Sequence, residues 1–415
     1  MTQKNLYDIL KERGFIEQST NENRLRHLLS KQKITFYIGF DPSASSLHIG
    51  HLVSLMAMAW AQKQGHRPIF LAGGGTGLVG DPSGKDKARP IMSHQKIKEN
   101  IQSIKKQVSR ILDFNKNRGL LLNNADWLTK LNYIEFLRDF GSQFSVNRLL
   151  TAESIKNRLK TGLSFLEFNY QLLQAYDFWY QFKHYNCLAQ MGGSDQWGNI
   201  VAGVELIRRL EGKEAYGVTF HLIKTATGKK MGKTEKGTVW LDAQKTPPYE
   251  YYQYWINVDD ADVARFLSIF TFLPMEQIKK YAKLKGSKMK KAKEILAFEA
   301  TKILHGEDAA EKAREASRAL FGKEKGRKDL IPTYYLNKEQ KEQIEMGIPA
   351  FRIFVMTGLA STASTATRLI EQGGGYLDEK RITDPHSKIT LDDFKGEEIL
   401  LRAGKKKHRR IKITP

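Results

Sequence analysis

The sequence predicts an α/β protein whose first domain is built on a parallel sheet, followed by an α-helical domain and a small α+β domain. Three observations predict it. Two short apolar runs, 34–40 and 68–72, bracket a stretch of helical periodicity, so strand, helix and strand alternate as in a βαβ unit. From residue 247 the pattern turns helical and heavily basic, and from about 349 a short helix, a triple-glycine stop and a hairpin-like segment follow one another.

The run at 34–40, Ile-Thr-Phe-Tyr-Ile-Gly-Phe, is rich in β-branched and aromatic residues and stops at Asp41-Pro42, which reads as a strand and its turn. From His48 onward apolar residues recur at helical spacing until Gly65 supplies a stop. Residues 68–72 then form a second buried strand that runs into the glycine-rich 73–84. Between 93 and 190 the pattern is mostly helical, with 134–144 and 167–182 the most amphipathic pieces, so a helical insertion is expected over about 120–186. A second α/β stretch at 187–193 precedes a helix that begins near Asp195 and carries Ile200, Val204, Leu206 and Ile207. The first domain thus covers 1–240. Pro247-Pro248 marks a break, and 247–321 is expected as a helical domain bearing Lys279, Lys280, Lys283, Lys285, Lys288, Lys290, Lys291 and Lys293. Residues 322–345 have the composition of a linker, and 346–415 form the last domain, with a helix at 361–372, Gly373-Gly374-Gly375, a hairpin-like 376–383 and an acid-free basic tail at 405–412.

Lys plus Arg number 67 against 45 Asp plus Glu, a formal charge of +22. A polyanionic partner accounts for that excess; a merely solvated basic surface is the competing account. Cys187 is the one cysteine, which excludes an intrachain disulfide framework and a cysteine-based zinc site and fits a reducing cytoplasm. Residues 1–10 lack an apolar core of signal-peptide length, and no window approaches a membrane span, so the protein is expected to be soluble and cytoplasmic, with no membrane partner.

Two motifs carry chemistry. In Asp41-Pro-Ser-Ala-Ser-Ser-Leu-His48-Ile-Gly-His51 a strand meets a helix start, where unpaired N–H groups and the helix dipole favour a phosphate. His48 with Ser43 can donate hydrogen bonds to a phosphate gaining charge, and Gly50 lets a flat ring such as adenine lie against the backbone. By itself the pair His48 and His51 is more often a solvated surface pair or a weak metal pair. The second motif, Lys230-Met-Gly-Lys233-Thr234, can bring two mobile point charges onto a polyphosphate. In that order the two motifs resemble the signatures of the class I aminoacyl-tRNA synthetases, His-x-Gly-His and Lys-Met-Ser-Lys-Ser, with Gly232 and Thr234 standing in place of the two serines.

Within that class, Tyr37-Ile-Gly-Phe-Asp41-Pro, Gly77-Leu-Val-Gly-Asp81-Pro-Ser-Gly84-Lys85, Tyr170-Gln-Leu-Leu-Gln174-Ala-Tyr-Asp177-Phe and Gly192-Gly-Ser-Asp195-Gln196-Trp-Gly-Asn199 resemble the tyrosine-activating synthetases of bacteria. The spacing agrees, since Tyr170, Gln174 and Asp177 at i, i+4 and i+7 share one helix face. A buried phenol needs a donor and an acceptor, which Tyr37 and Asp177 can supply, and phenylalanine would leave both unpaired.

The resemblance implies a Rossmann-like catalytic domain with a mobile signature loop at 224–237, an anticodon-recognising helical domain and an S4-like RNA-binding domain. It implies that the chain activates L-tyrosine with ATP, accompanied by Mg2+, to tyrosyl adenylate, then transfers tyrosine to the terminal ribose of tRNA(Tyr). No tightly bound cofactor and no protein metal site is expected. By resemblance Asp81, Tyr170 and Gln174 hold the substrate ammonium, with Asp41 and Gln196 near its carboxylate. Asp195 and the backbone of Gly39 and Gly192 serve the ribose. Lys85 and Arg89, with Lys230, Lys233 and Thr234, hold the departing pyrophosphate. Family members are homodimers, and the region of residues 140–150 is the expected interface. Locally, Tyr170 also reads as core, Asp81 as a turn residue, Asp195 as an N-cap, and Lys85 with Arg89 as a solvated charge run. Ile38 departs from relatives that carry a ribose-touching cysteine there.

Gly75-Thr-Gly77-Leu-Val-Gly80 fits a dinucleotide fingerprint, but the stretch at 96–112 reads as a basic helix where a strand ending in an acid is required. Gly84-Lys85 lacks the remaining residues of a P-loop. A tryptophan-activating synthetase, a non-catalytic RNA-binding descendant of a synthetase and a dehydrogenase remain as alternative functions.

Overall fold

The computed structural model describes residues 4–83, 92–151, 153–226, 228, 231–234, 237–321, 333–378, 380–404 and 407–413, with the backbone alone at 153, 154, 157, 233, 234 and 319–321. Lys85, Arg89 and Lys230, and the side chains of Lys233 and Thr234, lie outside the described residues. The chain forms two compact units, one of residues 1–234, 238–246 and 258–304, the other of 235–237, 247–257 and 305–415.

In the first unit six strands make one sheet: β1 (Ile16–Ser19), β2 (Thr35–Phe40), β3 (Arg67–Ala72), β4 (Leu120–Asn123), β5 (Cys187–Gly193) and β6 (Tyr216–Phe220), in the order β1-β6-β5-β2-β3-β4. All neighbours are parallel except β1, which pairs antiparallel with β6 at one edge. Both faces of β2 and β3 are covered, which is why their sequences read as continuous apolar runs and not as alternation. From β2 the chain steps outward to β3 and β4, then returns to the other side of β2 with β5 and β6. The order therefore reverses between β2 and β5, and in such sheets ligands occupy the crevice at the carboxyl ends of the strands at this point.

Leu120–Asn123 was expected inside the helical insertion. Leucine favours helix by propensity, but here Leu120, Leu121 and Leu122 pair in register with Ile69, Phe70 and Leu71, and the strand pairing overrides propensity. The first strand, β1, and the last, β6, were not anticipated. His66 Nδ1, at the turn before β3, accepts the Ile34 N–H at 3.2 Å and ties the start of β2 to this turn.

Five helices matter for the site: α1 (Leu52–Lys63), α2 (His94–Val108), α3 (Phe165–Tyr185), α4 (Trp197–Glu211) and α5 (Asp260–Phe270). α3 starts with a capping box in which Ser164 and Glu167 exchange bonds and ends on Asn186 in the left-handed region at φ 51°. Glu167 also holds Arg158 through both of its carboxylate oxygens, at 3.0 Å each, an ion pair sealed from solvent. Phe136, Leu149, Tyr176, Phe178 and Phe182 of the insertion pack on Tyr37, Ile69 and Leu71 of the sheet.

Residues 247–321 were expected as one helical domain, but 258–304 belong to the catalytic unit. Arg13, buried beneath the end of α5, helps tie this stretch to the catalytic unit. Its guanidinium donates to the carbonyls of Ser268 (2.8 Å), Thr271 (3.1 Å) and Leu273 (2.6 Å) and lies 3.9 Å over the Trp60 ring of α1. It satisfies the orphan carbonyls of a helix end from the other side of the unit.

The second unit contains the helices Pro248–Ile256 and Glu307–Phe321 and a five-stranded sheet of β7 (Thr333–Leu336), β8 (Gly375–Leu377), β9 (Lys380–Arg381), β10 (Glu398–Ala403) and β11 (Lys407–Ile413). The order is β9-β8-β10-β11-β7, with β11 and β7 parallel. Residues 333–345 are not linker, because Leu336 and Ile344 sit in the core with Phe354, Ile370, Leu401 and Ile411. From 407 onward the expected basic tail is β11, whose His408 and Ile411 are buried and whose lysines and arginines are half-buried, while Lys405 and Lys406 lie outside the described residues. Among the described residues no helix is long and apolar enough to cross a membrane.

Candidate active site

The loop leaving β2 carries the first histidine motif, and α2 shapes it from behind. Asn100 Nδ2 donates to the Pro42 carbonyl at 2.8 Å. Gln107 accepts the Leu47 N–H at 3.0 Å and the Ser46 hydroxyl at 3.1 Å, and donates to the Ser45 carbonyl at 3.0 Å. Ser43 is exposed, with its N–H on the Asp41 carbonyl at 2.8 Å. His48 caps a single 3-10 turn, Ile49–His51: its Nδ1 accepts the Gly50 N–H at 3.0 Å, while His51 Nδ1 accepts the His48 N–H at 3.2 Å. With each Nδ1 accepting, the proton of either neutral ring resides on Nε2. The ring centroids are 3.9 Å apart. A Cβ on Gly50 would sit 2.8 Å from His48 Cε1, so glycine is required there by the neighbouring imidazole as well.

The second motif meets the first. Met231 N–H donates to Ile223 O, Val239 N–H to Gly232 O and Ile49 N–H to Val239 O, each at 3.0 Å. Gly232 has φ 88°, and a Cβ on it would lie 2.8 Å from Ile49 Cγ2. The glycine that replaces the signature serine is therefore what this backbone and this contact demand. The backbone of Lys233–Thr234 is a short strand.

Two hydrogen-bond networks flank the crevice. In the first, Tyr170 OH donates to Asp41 Oδ2 at 3.1 Å and Thr76 Oγ1 to Asp41 Oδ1 at 2.9 Å. Asn124 Nδ2 donates to Thr76 Oγ1 at 3.0 Å and to Asp177 Oδ2 at 2.8 Å, and Trp127 Nε1 donates to Asp177 Oδ1 at 2.7 Å. Asp177 is 2% exposed. Burial pushes its carboxyl up to about 7 against the pull of the Asn124 and Trp127 bonds, and the Asp41 charge adds to the rise. Tyr37 is equally buried, and its hydroxyl has no hydrogen-bond partner among the described residues. Burial, then the Asp177 charge, raise its pKa well above the usual phenol range. A buried hydroxyl without a partner is unusual in a native protein and marks a place where a polar group of a ligand belongs.

In the second network, Asp81 Oδ1 accepts the Ser83 N–H at 2.9 Å and Oδ2 accepts Gln196 Nε2 at 2.8 Å. Asn199 Nδ2 contacts Gln196 Oε1 at 3.0 Å, Gln174 Oε1 at 3.1 Å and Ser83 Oγ at 3.4 Å. Asp81 does make a local turn, as its sequence also suggested, and joins the site with its other oxygen.

Between the networks Gly39, on a central strand, is exposed, and a Cβ there would meet nothing within 4 Å. Its neighbour Ile38 is buried. Gly192 faces Gln196, whose Cβ would be 3.3 Å from a glycine Cβ. Asp195 lies inside the turn Ser194–Gln196, whose N-cap is Gly193, so it is not an N-cap.

The structure thus gathers Tyr37, Asp41, Tyr170 and Asp177 into one set and Asp81, Gln174 and Gln196 into another. Sequence reading missed Thr76, Ser83, Asn100, Gln107, Asn124, Trp127 and Asn199 as site-shaping residues. Asn100 and Gln107 carried a signal, being polar at i and i+7 among Ile97, Ile101, Ile104 and Val108 on the buried face of α2.

A mostly parallel sheet with this switch point and a histidine motif packed on Met231 and Gly232 of a Lys-Met-Gly-Lys-Thr sequence define a class I aminoacyl-tRNA synthetase. The family model for class I tRNA synthetases (W and Y) matches residues 29–322. The chain is 51% identical over 411 residues to a tyrosine–tRNA ligase of Clostridium botulinum (strain Hall), covering 99% of each. It is likewise 51% identical over 425 residues to one of Desulfosudis oleivorans, covering 98% of each. Among solved structures it resembles a C-terminally truncated mitochondrial tyrosyl-tRNA synthetase of Aspergillus nidulans, with TM-score 0.69 at 31% identity, covering 77% of this chain and 95% of that one. The chain belongs to the tyrosine–tRNA ligase family.

Proposed function

We infer that this enzyme activates L-tyrosine with Mg-ATP and loads it onto tRNA(Tyr), and that the residues gathered above divide the work as follows. The observation that carries the pocket assignment is the unpartnered buried hydroxyl of Tyr37, close enough to Asp177 to feel its charge. The substrate phenol donates to the Asp177 carboxylate and accepts from Tyr37, the two bonds a bare phenyl ring cannot make. Asn124 and Trp127 hold Asp177 with its oxygens aimed. Tyr170, Asp81 and Gln174 receive the ammonium, and Asp41 and Gln196 flank the carboxylate.

One carboxylate oxygen bonds to the α-phosphorus in line as the bond to pyrophosphate breaks, and no protein nucleophile takes part. The enzyme contributes orientation and charge. Ser43, His48 and His51 serve the phosphate and adenine end, while Gly39, Gly192 and Asp195 border the ribose. Lys85, Arg89, Lys230, Lys233 and Thr234 are assigned the leaving pyrophosphate. The excess of basic residues, +22 overall, suits the RNA, which the lysine-rich 279–293 and the C-terminal sheet are proposed to hold.

We further propose a homodimer in the cytoplasm. Tyr133, Ile134, Val146, Leu159, Phe165 and Leu166, all on the insertion, are exposed large apolar side chains; a self-complementary interface would cover them. Sedimentation equilibrium tests this, and a monomer at micromolar concentration would overturn it. The catalytic reading is tested by amino-acid-dependent exchange of pyrophosphate into ATP. Exchange with tyrosine and not with phenylalanine or tryptophan is expected; exchange with tryptophan would overturn the specificity.

A further inference from the structure

The Lys-Met-Gly-Lys-Thr segment is approached through residues 223–226, and α5 grips this stem from the side. Ala226 N–H donates to Asp262 Oδ2 at 2.8 Å. Arg265 Nη2 donates to the Lys224 carbonyl and, at 2.6 Å, to Asp262 Oδ1. The carboxylate is 3% exposed, with a backbone N–H on one oxygen and a guanidinium on the other. Beyond the grip, Ile223 O accepts Met231 N–H at 3.0 Å, and Met231 and Gly232 lie against Gly50 and Ile49 of the first motif. The far end of α5 is fixed to the same unit by Arg13, itself stacked on Trp60 of α1. An unbroken run of described contacts therefore leads from α5 to the histidine motif.

An exposed i,i+3 ion pair on a helix is worth little. This one differs, because its carboxylate is buried and both members spend donors or acceptors on the backbone of another segment. A first-turn acid gains from the helix dipole, but that does not account for an oxygen aimed out of the helix at Ala226.

We propose that Asp262 and Arg265 are positioning residues for adenylate formation: they set the stem of the second signature against the first and so govern the ATP end of the site, leaving the tyrosine end untouched. The proposal rests on the functional reading above. Neither side chain is among the residues assigned to substrate above. The Tyr37–Asp177 set belongs to β2, α3 and the segment after β4, none of which α5 grips through this pair.

The test uses the full-length protein and Asp262→Asn, Asp262→Ala and Arg265→Met. Tyrosine-dependent pyrophosphate exchange is measured, with rates divided by the active sites counted in a single-turnover adenylate burst, so that unfolded molecules drop out. For Arg265→Met and Asp262→Ala, kcat/KM for ATP is expected to fall about tenfold, and less for Asp262→Asn, whose amide oxygen still accepts the Ala226 N–H. The dissociation constant for tyrosine, read by equilibrium binding, stays within about twofold. The proposal is overturned if ATP parameters keep their wild-type values in all three variants, if ATP and tyrosine suffer equally, or if no variant yields countable sites, which would make the pair a folding element. Lack of exchange in the wild type would instead overturn the functional reading.

Discussion

Replacing Asp177 by asparagine should stabilise the unliganded protein while removing its preference for tyrosine. The carboxyl is buried on α3 and is displaced from its ordinary 3.8 to about 7, chiefly by burial. At about 1.36 kcal/mol per pH unit, ionising it in the folded chain at pH 8 costs up to about 4 kcal/mol. The sign follows from the proton count. Between pH 4 and 7, roughly, the folded chain keeps a proton that the unfolded chain has released, so stability declines as pH rises through this window and the cost is complete above it. Asparagine has no proton to lose. Its oxygen still accepts from Trp127, but its amide group faces the Asn124 amide, and the turned or lost bond costs about 1 kcal/mol. The net gain is therefore roughly 1–3 kcal/mol at pH 8 and falls below about 1 kcal/mol near pH 5. Unfolding of wild type and Asp177→Asn by denaturant at pH 5, 6.5 and 8 reads this directly. In the same variant kcat/KM for tyrosine should drop about 10- to 100-fold, because the substrate phenol loses its charged acceptor. A variant less stable than wild type at pH 8, or a difference that does not change between pH 5 and 8, would refute the reasoning.

Three further outcomes are expected. Gly232→Ala puts a Cβ where φ is 88° and Ile49 Cγ2 is 2.8 Å away; strain of about 1–2 kcal/mol should lower pyrophosphate exchange roughly tenfold, with tyrosine binding unchanged by equilibrium dialysis. Arg158→Ala strands the buried Glu167 carboxylate and should cost about 3–5 kcal/mol in denaturant unfolding, far more than an exposed pair. His66 is held neutral, its pKa lowered to about 4 by burial with Lys33 adding to the effect. The unfolded chain takes up that proton first, so stability is lost as pH falls from about 6.5 toward 4; His66→Asn, which keeps an acceptor for Ile34 N–H, should shift the acid-unfolding midpoint to lower pH.

The sequence revealed the parts of the fold whose patterns are dense. β2 and β3 are mostly apolar runs closed by Asp-Pro or glycine, β5 is an apolar run broken by Gln190 and closed by Gly-Gly-Ser, and α3 and α4 have helical periodicity with asparagine or glycine after them. It concealed β4, because three leucines carry no β signal and only the neighbouring strand decides their conformation. It concealed β11 for the opposite reason, since lysines and arginines dominate a strand whose inward face holds few apolar residues. The extent of 247–321 misled because domain membership depends on long-range contacts: Arg13 and the α5 carbonyls it binds are some 255 residues apart. At the site, Tyr37, Asp41, Asp81, Tyr170, Gln174, Asp177 and Gln196 were named from motif strings, and the structure explains how they are held. Asn124 and Trp127 follow an unrecognised strand, so nothing local marked them.

The parallel pairing of β7 with β11 has a consequence for biosynthesis. Thr333–Leu336 waits for Lys407–Ile413 before it has a neighbour. At about 5–20 residues per second, the roughly seventy residues between them take on the order of 4–14 s to emerge from the ribosome. Throughout that interval Tyr334, Tyr335 and Leu336 present a bare strand edge, and an edge of that kind is open to pairing with another chain. The period in which the C-terminal sheet can go wrong is thus set by translation speed over one short stretch of message, and synonymous codons between the two strands become a determinant of yield.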